Sequence, residues 1–83
     1  MKQTEYFRTI RPIKHPEVTY EQCLEVVNNP IHRQVERHGR IRLWGRSTKT
    51  GRIIRVILLA DGQTLHNAFI DSRFEKNLME TEE

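Results

Sequence analysis

Between residues 39 and 69 the chain alternates in polarity with a period of two, which limits the fold to one built on a small sheet. Ile41 and Leu43 point one way, while Arg40, Arg42, Trp44 and Arg46 point the other. Such a strand has one apolar face for a core and one cationic face. Arg37-His38-Gly39 reads as a three-residue hairpin loop, with Gly39 supplying the left-handed backbone position. Residues 47–51 form a longer polar loop, and Asp61-Gly62 is the strongest short hairpin signal in the chain.

These turns set an expected register. Val35 lies opposite Ile41, Ile31 opposite Gly45, Leu43 beside Val56, and Ile41 beside Leu58. A last hairpin hinged on Asp61-Gly62 pairs Leu58 with Leu65, Val56 with Asn67, and Ile54 with Phe69. Asn67 is then a polar exception on the core face. The opposite face collects Gln34, Arg42, Trp44, Arg46, Arg55, Ile57 and His66.

One helix is expected over residues 19–28. Thr19-Tyr20-Glu21-Gln22 fits a capping box, and Tyr20, Cys23, Leu24 and Val27 recur at helical spacing. Asn28-Asn29-Pro30 ends it, because proline cannot continue a helix and disfavours helical geometry in the residue before it. Residues 5–11 carry Tyr6, Phe7 and Ile10 ahead of Pro12 and read as an edge strand or extended arm. After Phe74 the apolar pattern fades, so residues 75–83 read as a short helix or an acidic tail. The expected architecture is α+β: one principal helix on a curved antiparallel sheet of about four strands, with the N-terminal segment as a candidate extra edge.

Eighty-three residues suffice for one domain with one modest core, and no linker divides the chain. No apolar run approaches the ~20 residues that span a bilayer, and the first residues lack the apolar stretch of a signal peptide. A soluble cytoplasmic protein without a membrane partner is expected. The single Cys23 excludes an internal disulfide, and its place among apolar helix positions reads as packing. The net charge of +3 conceals an asymmetry: residues 31–73 carry nine basic and three acidic side chains, whereas residues 74–83 carry one and four. A polyanion or an acidic protein suits the middle segment.

The basic residues there are eight arginines and one lysine. The guanidinium fork matches phosphate, and an indole offers a stacking platform for an unpaired base. Arg40, Arg42, Trp44 and Arg46 are therefore the candidate RNA-binding set, for RNA or single-stranded nucleic acid. His66 is the candidate proton-transfer group, and Arg55 the candidate stabiliser of an anionic transition state. A metal-independent ribonuclease could be assembled from these parts, with the RNA 2′-hydroxyl as nucleophile. Replacing Arg55 with alanine is expected to weaken RNA binding with little loss of fold. His15, His32, His38 and His66 lack ligand spacing with Cys23, so no metal or other cofactor is expected. Asn67, followed by Asp71 and Arg73, reads as a tie for the chain leaving the sheet.

Lys14-His15, Val18-Thr19-Tyr20-Glu21-Gln22 and Val26-Val27-Asn28-Asn29-Pro30 resemble the Lys-His-Gly, Val-Ser-Phe-Glu-Glu and Asp-Pro run of BrnT-type toxins, within the wider RelE-like ribonuclease group. The segments starting at Gly39 and Gly51 resemble strands of that family and of small bacterial proteins related to it, in which a strand like the one from Gly62 to Phe69 recurs. The resemblance covers roughly residues 14–74. It implies a helix packed on an antiparallel sheet, metal-independent RNA cleavage, and neutralisation by a small DNA-binding antitoxin. The chain lacks the family's Phe-Glu-Trp-Asp opening, has Pro16 in place of a glycine, and ends acidic instead of basic. No catalytic residue is carried over from the family. A toxin-like RNA-binding protein, with ribonuclease activity as its further expectation, stands beside a non-catalytic module that docks an acidic protein partner on the same basic face.

Overall fold

The computed structural model describes residues 1–82. Five strands form one mixed sheet in the order β1-β5-β4-β3-β2. They are β1 (Lys2–Gln3), β2 (His32–Val35), β3 (Ile41–Arg46), β4 (Ile53–Leu58) and β5 (Thr64–Ile70). The helices are α1 (Glu5–Thr9), α2 (Arg11–Lys14), α3 (Tyr20–Asn28) and α4 (Ser72–Glu82). The α+β class is as expected, but the sheet gains a short parallel edge, because β1 pairs with β5 through Lys2–Thr64 and Gln3–Leu65. Two helices of similar length, α3 and α4, replace the single principal helix. Of the acidic tail, Glu83 lies outside the described residues.

The segment expected as an edge strand is helical. Thr4 accepts a hydrogen bond from the Phe7 N–H at 3.1 Å and starts α1. Pro12 sits in the first turn of α2, where its missing N–H costs nothing. The turn into α2 buries Phe7 and also Arg11, whose guanidinium lies 4.3 Å from the Phe7 ring centroid and donates to the carbonyls of Phe7 and Val18.

α3 starts on the expected capping box: the Gln22 N–H donates to Thr19 Oγ1 at 3.2 Å, and the Thr19 N–H to Gln22 Oε1 at 2.8 Å. Its buried face is Gln22, Cys23 and Val26, rotated slightly from the expected stripe. Gln22 turns inward because its amide also donates to the buried Ser47 hydroxyl at 3.1 Å, tying α3 to the loop after β3. Gly45 sets how closely α3 approaches the sheet. A Cβ there would stand 3.1 Å from both γ-carbons of Val26 and 3.2 Å from its α-carbon.

The pairings of Val35 with Ile41, Leu43 with Val56, and Ile41 with Leu58 are those read from the alternation. Gly39 closes the first hairpin with φ of 96°, and the Glu36 N–H donates to the Arg40 carbonyl at 2.8 Å. The last hairpin departs from expectation after its first pair. Leu58 faces Leu65, but Ile57 then faces Asn67, Val56 faces Ala68, and Ile54 faces Ile70. The irregularity at Ile57/Leu58 inserts His66 as an extra residue in β5, a β-bulge. From that point every side chain changes face: Ala68 enters the core in place of Asn67, and Phe69 leaves it.

Candidate nucleic-acid interface on the second sheet face

The pleat and register sort the second face into rows across the strands. One row is Gln34–Arg42–Ile57–Asn67, the next is His32–Trp44–Arg55–Phe69, and the third pairs Arg46 with Ile53. With strands about 4.8 Å apart, a four-residue row spans roughly 14 Å, about the reach of two or three unstacked nucleotides.

α4 covers Ile53 of the third row and Trp44 of the second. Asp71 organises that closure. Its backbone N–H donates to the Ile53 carbonyl at 2.9 Å, anchoring the chain beside β4. Oδ1 accepts the Phe74 N–H at 2.9 Å and so caps α4, while Oδ2 accepts the indole N–H of Trp44 at 2.9 Å and the Arg55 Nε–H at 3.0 Å. A second guanidinium nitrogen of Arg55 lies 2.8 Å from the same oxygen. Burial pushes the Asp71 carboxyl up, but the donors from Phe74, Trp44 and Arg55 outweigh it and hold the group below the ordinary carboxylate value.

This corrects the expected role of Trp44. Its side chain does not offer a free platform: it is 4% exposed, stacked on Phe74 at 5.1 Å with an interplanar angle of 18°, with the His32 ring 5.2 Å away. Ile53 is buried in the same small second core. Arg55 is likewise engaged, paired to Asp71 and held between the Trp44 and Phe69 rings at 5.2 and 5.0 Å. Removing it would leave a buried carboxylate short of a partner, so Arg55→Ala carries a cost in stability that the sequence does not suggest.

The remaining candidates are distributed unevenly. Arg42 is half-buried and its Nε–H donates to Glu36, whose other oxygen lies 2.5 Å from His38 Nε2. The Arg42 hydrogen bond holds the Glu36 carboxyl below its usual range. Arg46 is exposed and donates to the Gly51 carbonyl at 2.8 Å, at the end of the face that α4 occupies. Arg40 is exposed at the opposite end, near enough for its charge to act on both Glu36 and His66.

His66 and Asn67 are the two half-buried residues of the bulge, between the core residues Leu65 and Ala68. His66 Nδ1 lies 3.1 Å from the Thr4 hydroxyl, and the Tyr6 ring is 5.3 Å away. Thr4 Oγ1 also accepts the Phe7 N–H, and its hydroxyl donates to Nδ1 in the tautomer with the imidazole hydrogen on Nε2. Burial first, and the Arg40 charge second, lower the His66 pKa. Asn67 is not the buried network member expected from sequence, for its side-chain oxygen accepts the N–H of its neighbour Ala68 at 2.9 Å.

The open part of the face is therefore Gln34, Arg40, Arg42, Ile57, His66 and Asn67, with the half-buried Phe69 at its margin. Two cations, two amides and an imidazole surround an apolar centre. Sequence reasoning missed Glu36, Thr4 and Phe74 as partners of these residues. Only Phe74 left a signal, as an apolar residue three positions after the helix-capping type Asp71.

A groove of about 390 Å³ lies elsewhere, lined by Thr19, Glu21, Gln22, Glu25, Thr48 and Lys49. Its two glutamates suit an anion poorly, and Glu25 is occupied by the Thr48 N–H and hydroxyl. Among the described residues no group of three or more His, Cys, Asp or Glu could hold a metal ion, and no helix is long and apolar enough to cross a membrane. No protein-family model, curated protein or solved structure matches the chain.

Proposed function

We propose that this is a toxin-like RNA-binding protein of the BrnT- and RelE-like kind, acting in the cytoplasm and holding single-stranded RNA on the open half of its second sheet face. The observation that carries this reading is the uncovered row Gln34–Arg42–Ile57–Asn67, flanked by Arg40 and His66. Arginines meet phosphates, the amides meet base edges, and Phe69 with Ile57 gives bases an apolar surface. Binding has more support than cleavage. A metal-independent ribonuclease needs a matched acid and base; beside His66 stands the Tyr6 ring at 5.3 Å, and Arg42 keeps Glu36 a weak base.

The test is an NMR titration with short single-stranded RNA in EDTA, with the same RNA run on a gel. Shifts at Arg40, Arg42, His66 and Asn67 are expected, with Trp44 unmoved. Arg40→Ala should weaken binding about threefold to tenfold and lower the salt slope by about 0.7, as one lost phosphate contact requires. Fragments on the gel would restore the ribonuclease reading, and no shifts at millimolar RNA would remove RNA altogether.

A second reading has one observation behind it. Both inner guanidiniums of this face already bind carboxylates, Arg42 with Glu36 and Arg55 with Asp71. An acidic protein such as an antitoxin would offer the same chemistry. RNA-independent shifts at the same residues on adding an acidic helix peptide would favour it.

A further inference from the structure

β2 is the open edge of the sheet, and all four of its residues are exposed. The Glu36 N–H bonds the Arg40 carbonyl, and antiparallel pairs alternate. Gln34 and His32 therefore turn their backbone groups toward β3, whereas Arg33 and Val35 turn theirs away from the sheet. The opposite edge is not comparable, since it is only the two-residue β1.

On the α3 side of this edge stand Arg33 and Val35, opposite Leu43 and Ile41. Val35 is apolar and 52% exposed, since α3 packs over β3 and β4. Ile31, before the strand, is 51% exposed, but its N–H turns inward to the Trp44 carbonyl at 2.7 Å. Outward backbone groups, an uncovered apolar side chain and a neighbouring cation are the parts a β-augmentation site needs.

We propose that the β2 edge receives an extended acidic segment of a partner protein as a sixth strand. The segment places an acidic residue opposite Arg33 and an apolar residue facing Val35. Charge decides the occupant. The edge and its hairpin loop carry Arg33, Arg37, Arg40, His32 and His38 against Glu36 alone, and Glu36 already holds Arg42 and His38. A second copy paired through its own β2 would bring two such edges together, and a cation in the middle of an edge strand opposes self-pairing. An acidic strand neutralises them. This edge is separate from the RNA-binding reading, which uses side chains of the sheet face.

The test uses a blocked peptide, Glu-Val-Thr-Glu-Thr-Val-Glu, and its charge-swapped control, Lys-Val-Thr-Lys-Thr-Val-Lys, added to isotope-labelled full chain. The acidic peptide should shift the Arg33 and Val35 amides and slow their hydrogen exchange, while those of Gln34 stay protected throughout. Val35→Pro removes the outward N–H without touching a bond to β3 and should abolish binding. Arg33→Glu keeps the backbone, should weaken the acidic peptide on the order of tenfold, and should favour the lysine peptide. Equal binding of both peptides to the native chain, or acidic-peptide shifts confined to Arg42 and His66, would overturn the proposal. So would concentration-dependent protection of Arg33 and Val35 without peptide, which would make the occupant a second copy.

Discussion

The two faces of the sheet are closed by different physics. On the α3 side, Ile41, Leu43, Ile54, Val56, Leu58, Leu65 and Ala68 meet Phe7, Val18, Cys23 and Val26 in one continuous apolar cluster. Nothing in that packing depends on a single pair, and burial of each aliphatic side chain contributes roughly 1.5–3 kcal/mol. On the other side, α4 is docked by two carboxylates: Asp71 satisfies an indole, a guanidinium and the start of a helix at once, and Glu75 accepts from the Arg52 Nε–H at 2.7 Å and the Ile53 N–H at 2.8 Å. An apolar face tolerates local change, whereas a polar hub fails as a unit. The hub covers only part of its face, and the part left uncovered is where the candidate site lies.

The most direct way to break the contrast is Asp71→Ala. The change strips Arg55 and the Trp44 indole of their partner inside a site where Asp71 is 5% exposed. A loss of about 3 kcal/mol is expected in chemical denaturation, a large part of what a domain this size has. Trp44 is the only tryptophan, so undocking of α4 should appear as a red shift of its emission before the main transition. A normal emission maximum with unchanged stability would show that the Phe74 packing and the Glu75 bonds to Arg52 and Ile53 hold α4 without Asp71.

Gly45→Ala probes the other face. The added methyl meets both γ-carbons and the α-carbon of Val26 at 3.1–3.2 Å, so α3 must move outward. A cost of about 1–3 kcal/mol is expected, with Trp44 emission unchanged. Val26→Ala in the same chain removes the two γ-carbons and leaves the backbone of α3 where it is, so it should recover part of the loss. Additive losses would mean that the approach of α3 to β3 is not what requires glycine.

How much of this is legible follows from which signals are local. The alternation and the turn residues Gly39 and Asp61-Gly62 carry the register of β2, β3 and β4, because one apolar face fixes pairing once loop lengths are known. They do not carry the bulge. His66 and Asn67 are both polar, and a period-two reading has no means of seeing that two residues occupy one place, so it puts Asn67 and Phe69 in the core and Ala68 outside it. At Trp44 the candidate site goes wrong for a different reason. Whether an aromatic on a sheet's second face is a platform or a core residue depends on what crosses it, and α4 shows few apolar positions beyond Phe74 and Leu78 in an acidic stretch. The N-terminal arm misleads because Tyr6, Phe7 and Ile10 before Pro12 suit an edge strand as well as a helix. Thr4 as a cap and Pro12 in a first turn are the discriminating residues.

The smallest expected effect concerns the open face itself. His66 has its pKa lowered from 6.5 in the fold by burial and by the Arg40 charge. Between that lowered value and 6.5 the unfolded chain binds more protons than the folded one, so stability is full above the ordinary imidazole range and declines as pH falls through this interval. His66→Gln should remove this component, so the difference in stability between native chain and variant should vary with pH only below about 6.5. RNA affinity should move in the opposite sense over the same interval, since a phosphate near the imidazole favours its protonated form. A difference curve flat from pH 7.5 to 5 would show that His66 is as free in the fold as in solution, and would separate it from both Thr4 and the arginines of the open row.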